Sequence, residues 1–271
     1  MSILHAIVLG LVQGLTEFLP ISSTAHLRIV PALLGWPDPG AAFTAVTQLG
    51  TMAAVLVFFR ADLLRIATAW VRGLRDPTVR RTLDSRLGWY IGLGTVPIAL
   101  LGLLFKDQIA GGARNLVLIG ITLIVFGLIL LAADRASKRT RGVDSLKGRD
   151  GALIGLAQAL ALVPGVSRSG ATISAGLLLG LDRAAAARYS FLLSVPAVVL
   201  SGVFELKDIG GPGGASLPGT VIATLLAFVV GYASIAFLLR FLTTHTTGVF
   251  VAYRVVLGAL VLLLVAGGVI A

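Results

Sequence analysis

The sequence predicts an all-α integral membrane protein, with six transmembrane helices plus two re-entrant helical hairpins in an inverted-topology repeat. Three observations carry this expectation. Of the 271 residues, 57% are hydrophobic and only 13% charged, and the mean hydropathy is +0.98; a soluble domain with that balance would have too little polar surface. Apolar stretches close to the ~20 residues that a spanning helix needs recur along the chain. Two further apolar segments are interrupted by proline and polar residues, and the interruptions resemble each other.

The six spanning stretches are Ala41 to Phe59, Leu87 to Phe105, Leu116 to Ala133, Ala184 to Phe204, Val221 to Leu239 and Val249 to Ala271. The segment Ile3 to Leu34 is broken at Pro20, and Gly151 to Gly180 is broken at Pro164-Gly165. Proline cannot donate a backbone hydrogen bond and bends what precedes it, so each segment reads as a short helix, a polar turn and a second short helix. Non-helical backbone at membrane depth survives only where protein or a water-filled cavity surrounds it. Both segments are therefore candidates for hairpins that line a site. A cleaved signal peptide is not expected, because the first 20 residues lack a basic region, hold Glu17 inside the apolar run and offer no Ala-x-Ala site.

Sliding the chain by about 145 positions sets Gly10-Leu11 on Gly155-Leu156, Gln13 on Gln158, Leu15 on Leu160 and Ile21-Ser22 on Val166-Ser167. Three spanning stretches follow each hairpin, so each half crosses an odd number of times and the second must be inverted. The chain is thus expected to form a single membrane domain over residues 1–271. Its first repeat is 1–140 with hairpin 3–34, and its second is 150–271 with hairpin 151–180.

The net charge of +10 raises the question of nucleic acid, but the basic residues sit in the gaps between apolar runs and not on one amphipathic face. No nucleic-acid partner is expected; the membrane lipids are the surroundings. Arg60, Arg65, Arg72, Arg75, Arg80, Arg81 and Arg86 lie between the first two spans, and Arg135, Lys138, Arg139, Arg141, Lys147 and Arg149 follow the third. Both loops should be cytoplasmic. The low-charge gaps Lys106 to Asn115 and Glu205 to Gly219 fall on the other side, which places the first hairpin on the external face and the second on the cytoplasmic face, tips meeting near the midplane. With no cysteine in the chain, disulfides, thiolate chemistry and Cys-based zinc sites are excluded.

The first hairpin carries the polar residues Gln13, Glu17, Ser22, Ser23, Thr24 and His26 where a membrane segment would continue with Leu and Val. A charge at the bilayer centre costs roughly 2.5 to 3.5 kcal/mol on insertion scales, so Glu17 marks a functional site. Gln13 and Glu17 share one helical face. Each hydroxyl taken singly reads as a helix cap; Ser22, Ser23 and Thr24 ahead of His26 look different as a set. On the second hairpin, Ser167, Arg168, Ser169 and Thr172 around Gly165 and Gly170 form an anion site, because backbone N–H groups, helix dipole and guanidinium point the same way. Phosphate is the natural ligand. Gln48 and Gln158 read as makers of interhelical hydrogen bonds, and Arg240 and Arg254 as side chains that snorkel from span ends.

The run from Gln13 to His26, QGLTEFLPISSTAH, with Pro164 to Thr172, PGVSRSGAT, closely resembles the undecaprenyl-diphosphatase family linked to bacitracin resistance. Two long motifs in the right order carry the resemblance, and the segment order follows it along the whole chain. This chain has Ala25 where the family commonly has Gly, and Gln13 is the less acidic of the family's two options there, leaving Glu17 as the motif's one carboxylate. The resemblance implies an enzyme of the bacterial inner membrane that removes the terminal phosphate from a C55 polyprenyl diphosphate, giving the monophosphate carrier for cell-wall synthesis. It also implies a divalent cation. Mg2+ or Ca2+ can be held by one or two protein oxygens plus substrate phosphates, so Gln13 and Glu17 are the expected metal residues.

In the mechanism expected from these residues Ser23 is the nucleophile, His26 its base and later acid, Glu17 a metal ligand or orienting carboxylate, and Arg168 a clamp on the charge developing in the transition state. Ser22 or a metal-bound water is the alternative nucleophile. Ser22, Thr24, Ser167, Ser169 and Thr172 are expected to bind substrate, in a site open to the external side. The runner-up is a lipid flippase or secondary transporter with an anion site at the midplane, since inverted repeats with broken helices are common in transporters.

Overall fold

The computed structural model describes residues 2–105, 108, 115–205 and 216–270. Among them the secondary structure is helical, with one isolated bridge between Arg141 and Leu181. The first broken segment forms α1 (Ile3–Thr16) and α2 (Ser23–Leu34); α3 (Gly40–Phe58), α4 (Arg60–Gly73), α5 (Pro77–Arg80), α6 (Leu83–Leu104) and α7 (Leu116–Ala136) follow. The second forms α8 (Gly148–Ala159) and α9 (Arg168–Leu178), with α10 (Arg183–Glu205), α11 (Leu217–Thr244) and α12 (Gly248–Ala266) after it.

Five helices, α6, α7, α10, α11 and α12, are long and apolar enough to cross a membrane alone, and α3 makes a sixth when joined to α4. The protein is a multi-pass membrane protein. The polar residues of α3 satisfy themselves locally: Thr44 donates to Gly40 O at 3.0 Å, and Thr51 to Gln48 O at 2.8 Å. The low-charge gaps Lys106 to Asn115 and Glu205 to Gly219 lie largely outside the described residues.

The structure corrects one expectation here. The arginine-rich stretch after α3 is not a plain loop but an amphipathic helix, α4, bent by 79° from α3. Leu63, Ile66 and Trp70 recur at helical spacing and turn towards α6 and α10, while Arg60, Arg65 and Arg72 stay exposed.

Glycine decides how the hairpins dock. A Cβ on Gly10 of α1 would come within 2.6 Å of Ala223 O in α11, and one on Gly14 within 2.7 Å of Val230. On the second hairpin, a Cβ on Gly151 would come within 2.8 Å of Tyr90, and one on Gly155 of α8 within 2.5 Å of Gly94 in α6. Both first arms therefore pack helix on helix at backbone contact, as small residues allow in membranes. The numbering rises together in each pair, so α1 runs parallel to α11 and α8 parallel to α6.

Charged contacts gather the opposite ends of these helices. Asp134 at the end of α7 accepts from Arg183 Nε at 2.7 Å and from Thr247 N at 2.9 Å, joining α7, α10 and the turn before α12. Asp62 pairs with Arg188, and Arg141 pairs with Asp150 at 2.6 Å. The start of α6, the end of α11 and the start of α8 thus share one charged end. Since α1 runs with α11 and α8 with α6, the two hairpins enter the bundle from opposite ends and meet at their breaks.

Candidate active site

Each break is built the same way. α1 stops at Thr16, ahead of Pro20, and α2 starts after Ser22, whose φ of 73° lies in a region L-residues rarely adopt. The corresponding Ser167 has φ 72° and caps α9. Ser22 Oγ accepts from Ala25 N and Ser167 Oγ from Gly170 N, and the hydroxyl pairs Ser22–Thr24 and Ser167–Ser169 lie at 3.2 and 3.1 Å. Such backbone costs about 1 to 3 kcal/mol per residue and persists only where the surroundings over-determine it. Here it turns two helix N-termini, those of α2 and α9, towards one point.

Glu17, the C-cap of α1, stands at that point with its side chain 5% exposed. Arg168 Nη2 donates to Oε1, forming an ion pair across 151 residues of chain. Oε2 accepts from Ser23 Oγ at 2.6 Å and from Gln13 Nε2 at 2.7 Å. Ser169 Oγ donates to Leu19 O at 3.1 Å, a second tie between the hairpins. Phe18 fixes the break, buried edge-on against Phe191 with centroids 5.2 Å apart. Gln13, Glu17, Ser23, Arg168 and Ser169 are thus brought together, while Ser22, Thr24 and Ser167 form the capping turns behind them.

Two predicted residues point elsewhere. His26 Nδ1 lies 2.7 Å from Ser22 O; a carbonyl only accepts, so Nδ1 donates. The other nitrogen, Nε2, is 2.7 Å from Tyr253 Oη and accepts a hydrogen bond from that hydroxyl when the ring is neutral. The expected pairing of His26 with Ser23 is therefore not the contact made: both ring nitrogens are engaged, and the Ser23 hydroxyl goes to Glu17 instead. Thr172 is fully buried, donates to Arg168 O at 2.7 Å and meets Ser190 Oγ at 2.6 Å. It braces α9 against α10 and does not face Glu17.

Two residues of α12 complete the surroundings of the breaks. Tyr253 is the partner of His26 from 227 residues away, a pairing that no local spacing signals. Arg254, expected to snorkel, is instead 0% exposed and bonded to five backbone carbonyls. Its place one and a half turns into α12 sets it beside α7 and both breaks, which between them supply the five carbonyls. Gln158 was likewise expected to bond a neighbouring helix; it is fully buried and both its amide atoms lack a partner.

Among the described residues no cluster of three or more His, Cys, Asp or Glu side chains stands ready for a metal. Gln13 offers a different opening. Its Nε2 must face Glu17, because a carboxylate accepts and never donates; this leaves Gln13 Oε1 buried with no partner. One orphaned hard oxygen beside a carboxylate suits a cation that takes its remaining ligands from phosphate and water.

A family model described as bacitracin resistance protein BacA matches residues 6–260. Across nearly its whole length the chain is similar to proteins named undecaprenyl-diphosphatase. It is 60% identical over 271 residues to that of Nocardioides sp., covering 99% of this chain and 98% of the relative. The identity is 55% over 270 residues with that of Thermobifida fusca, at 100% and 92% coverage. For that of Mycolicibacterium smegmatis it is 54% over 275 residues, at 100% and 99%.

Proposed function

Because the chain belongs to the bacitracin resistance protein BacA family, we propose that it is an undecaprenyl-diphosphatase, hydrolysing undecaprenyl diphosphate to undecaprenyl phosphate and inorganic phosphate. The observation that carries this is the Ser23 hydroxyl held on Glu17 Oε2 while Arg168 holds Oε1, at the meeting of two helix N-termini. Those N-termini and the guanidinium receive the diphosphate. Ser23 Oγ attacks the terminal phosphorus as its proton passes to Glu17. The bond to the bridging oxygen breaks, and undecaprenyl phosphate leaves with Arg168 against the developing charge. Water then attacks the phosphoserine phosphorus; the bond to Ser23 Oγ breaks, Oγ takes back the proton on Glu17, and inorganic phosphate leaves with the water's oxygen and protons.

His26, held between Ser22 O and Tyr253, keeps the turn in shape and supplies an imidazole at the edge of the site. Gln13 Oε1 and Glu17 would hold Mg2+ or Ca2+ together with the substrate's phosphates, and the ion would supply neutralisation of phosphate charge. The two halves are read as an inverted repeat, supported by the reciprocal docking of α1 on α11 and α8 on α6. On the positive-inside rule the arginine-rich end is cytoplasmic. The first hairpin then enters from the external side of the bacterial inner membrane, where the site opens and the product re-enters the carrier cycle of cell-wall synthesis.

The test is phosphate release from C55 diphosphate by detergent-solubilised protein, with and without EDTA. Wild type releases phosphate and Ser23→Ala falls by at least about 1,000-fold, within the range set by loss of a catalytic group. Near-normal turnover by folded Ser23→Ala would remove the covalent step, and no release by wild type would remove the hydrolase reading.

A further inference from the structure

Breaking a helix at membrane depth strands backbone carbonyls that no later amide reaches, and each such group is costly in hydrocarbon. One side chain answers both breaks. Arg254 Nη1 donates to Pro20 O at 3.0 Å in the first break, and Nη2 to Gly165 O at 2.9 Å and Val166 O at 3.0 Å in the second. Nε reaches Leu123 O at 3.1 Å and Nη2 also Thr122 O at 3.3 Å, tying the guanidinium to α7. A planar fork with five donors can span such a spread; a lysine ammonium, a point charge, cannot.

Charge sharpens the observation. The five partners are carbonyl dipoles and none is a carboxylate, although an unpaired buried cation is expensive. Glu17 is already matched by Arg168. The guanidinium lies against the first turn of α9, where a Cβ on Gly170 would come within 2.8 Å of Nη1. Among the described residues bonded to Arg254, none carries a charge that offsets the guanidinium.

We propose that Arg254 is a positioning residue of this site: it locks the two breaks in register, so that Ser23 and Glu17 face Arg168, and its uncompensated charge draws in the diphosphate. It acts through the backbone of both hairpins and does not touch the reacting atoms. The inference rests on the phosphatase reading above.

The experiment uses full-length Arg254→Met and Arg254→Lys in detergent, measuring kcat and KM for phosphate release from C55 diphosphate. A second readout, independent of turnover, is thermal stabilisation by methylenediphosphonate, a non-hydrolysable diphosphate. The Met variant is expected to lose about 100-fold in kcat, the scale of a small misplacement of reacting groups, together with stabilisation by the probe. The Lys variant keeps the charge, and so responds to the probe, but stays at least about tenfold down in kcat because the fork is gone. A folded Met variant with wild-type kcat, KM and probe response overturns the proposal. So do variants that lose only folded yield while their folded fraction behaves as wild type. If the Met variant does not fold, the Lys variant decides, and wild-type kcat there overturns it. A wild type that releases no phosphate sinks the hydrolase reading alone, since the probe response still reports on Arg254.

Discussion

Set side by side, the hairpin of α1 and α2 and the hairpin of α8 and α9 differ least where the backbone turns and most where charge is placed. Both carry a fully buried glutamine, Gln13 and Gln158. Both turn on a serine at nearly the same positive φ, and both dock through a glycine on a span of the other half. The first then has Glu17, Ser23 and His26; at the corresponding places the second has Leu162, Arg168 and Ala171. The glutamines register the difference. Gln13 donates to Glu17 at 2.7 Å, whereas Gln158 faces a leucine position and bonds nothing. The carboxylate and the Ser23 hydroxyl bonded to it thus lie on one hairpin and the guanidinium on the other.

The comparison breaks most completely if the first hairpin is given the second's residue. Glu17→Leu should abolish turnover, by at least about 1,000-fold in phosphate release, because Ser23 loses its proton acceptor and Arg168 is left unpaired. Removing the charge from the other side, Arg168→Ala should cost about 100- to 1,000-fold in kcat, the range of one transition-state donor. The protein should remain folded by size-exclusion chromatography, and normal kinetics would take the clamp out of the scheme.

Smaller changes sharpen the contrast. Tyr253→Phe frees His26 Nε2 and should lower kcat by about tenfold or less, as expected for loss of one hydrogen bond to a group outside the reacting set. Its pH–rate profile should shift while KM holds; an unchanged profile would leave the tyrosine a packing residue. Gln158→Leu removes two buried unpaired polar atoms and should raise thermal stability, by about 1 to 3 kcal/mol, at unchanged activity. The same change at Gln13 should stabilise nothing, because there the amide nitrogen is bonded to Glu17 and its loss offsets the relief of the unpaired oxygen.

Much of this was legible in the letters. The spans, the breaks near Pro20 and Pro164, and Glu17 and Arg168 as buried charges follow from hydropathy, proline chemistry and the cost of charge in lipid. The amphipathic α4 was hidden by its own arginines, which read as topology signals and masked the spacing of Leu63, Ile66 and Trp70. Hydroxyl roles were divided by geometry: Ser23 reaches Glu17, whereas Ser22 and Ser167 cap and Thr172 braces.

The chain by itself determined that apolar length would be spent on spans, that two segments could not be continuous helices, and which polar residues would lie at depth. Those are properties of short stretches, set by side-chain transfer energies and by a backbone donor that proline lacks. Only tertiary structure decided the partners Tyr253 for His26 and Arg254 for carbonyls 88 to 234 residues away. The reason is that a guanidinium or a hydroxyl carries no label for its partner. It bonds to whatever polar group the packing of distant helices leaves unsatisfied beside it.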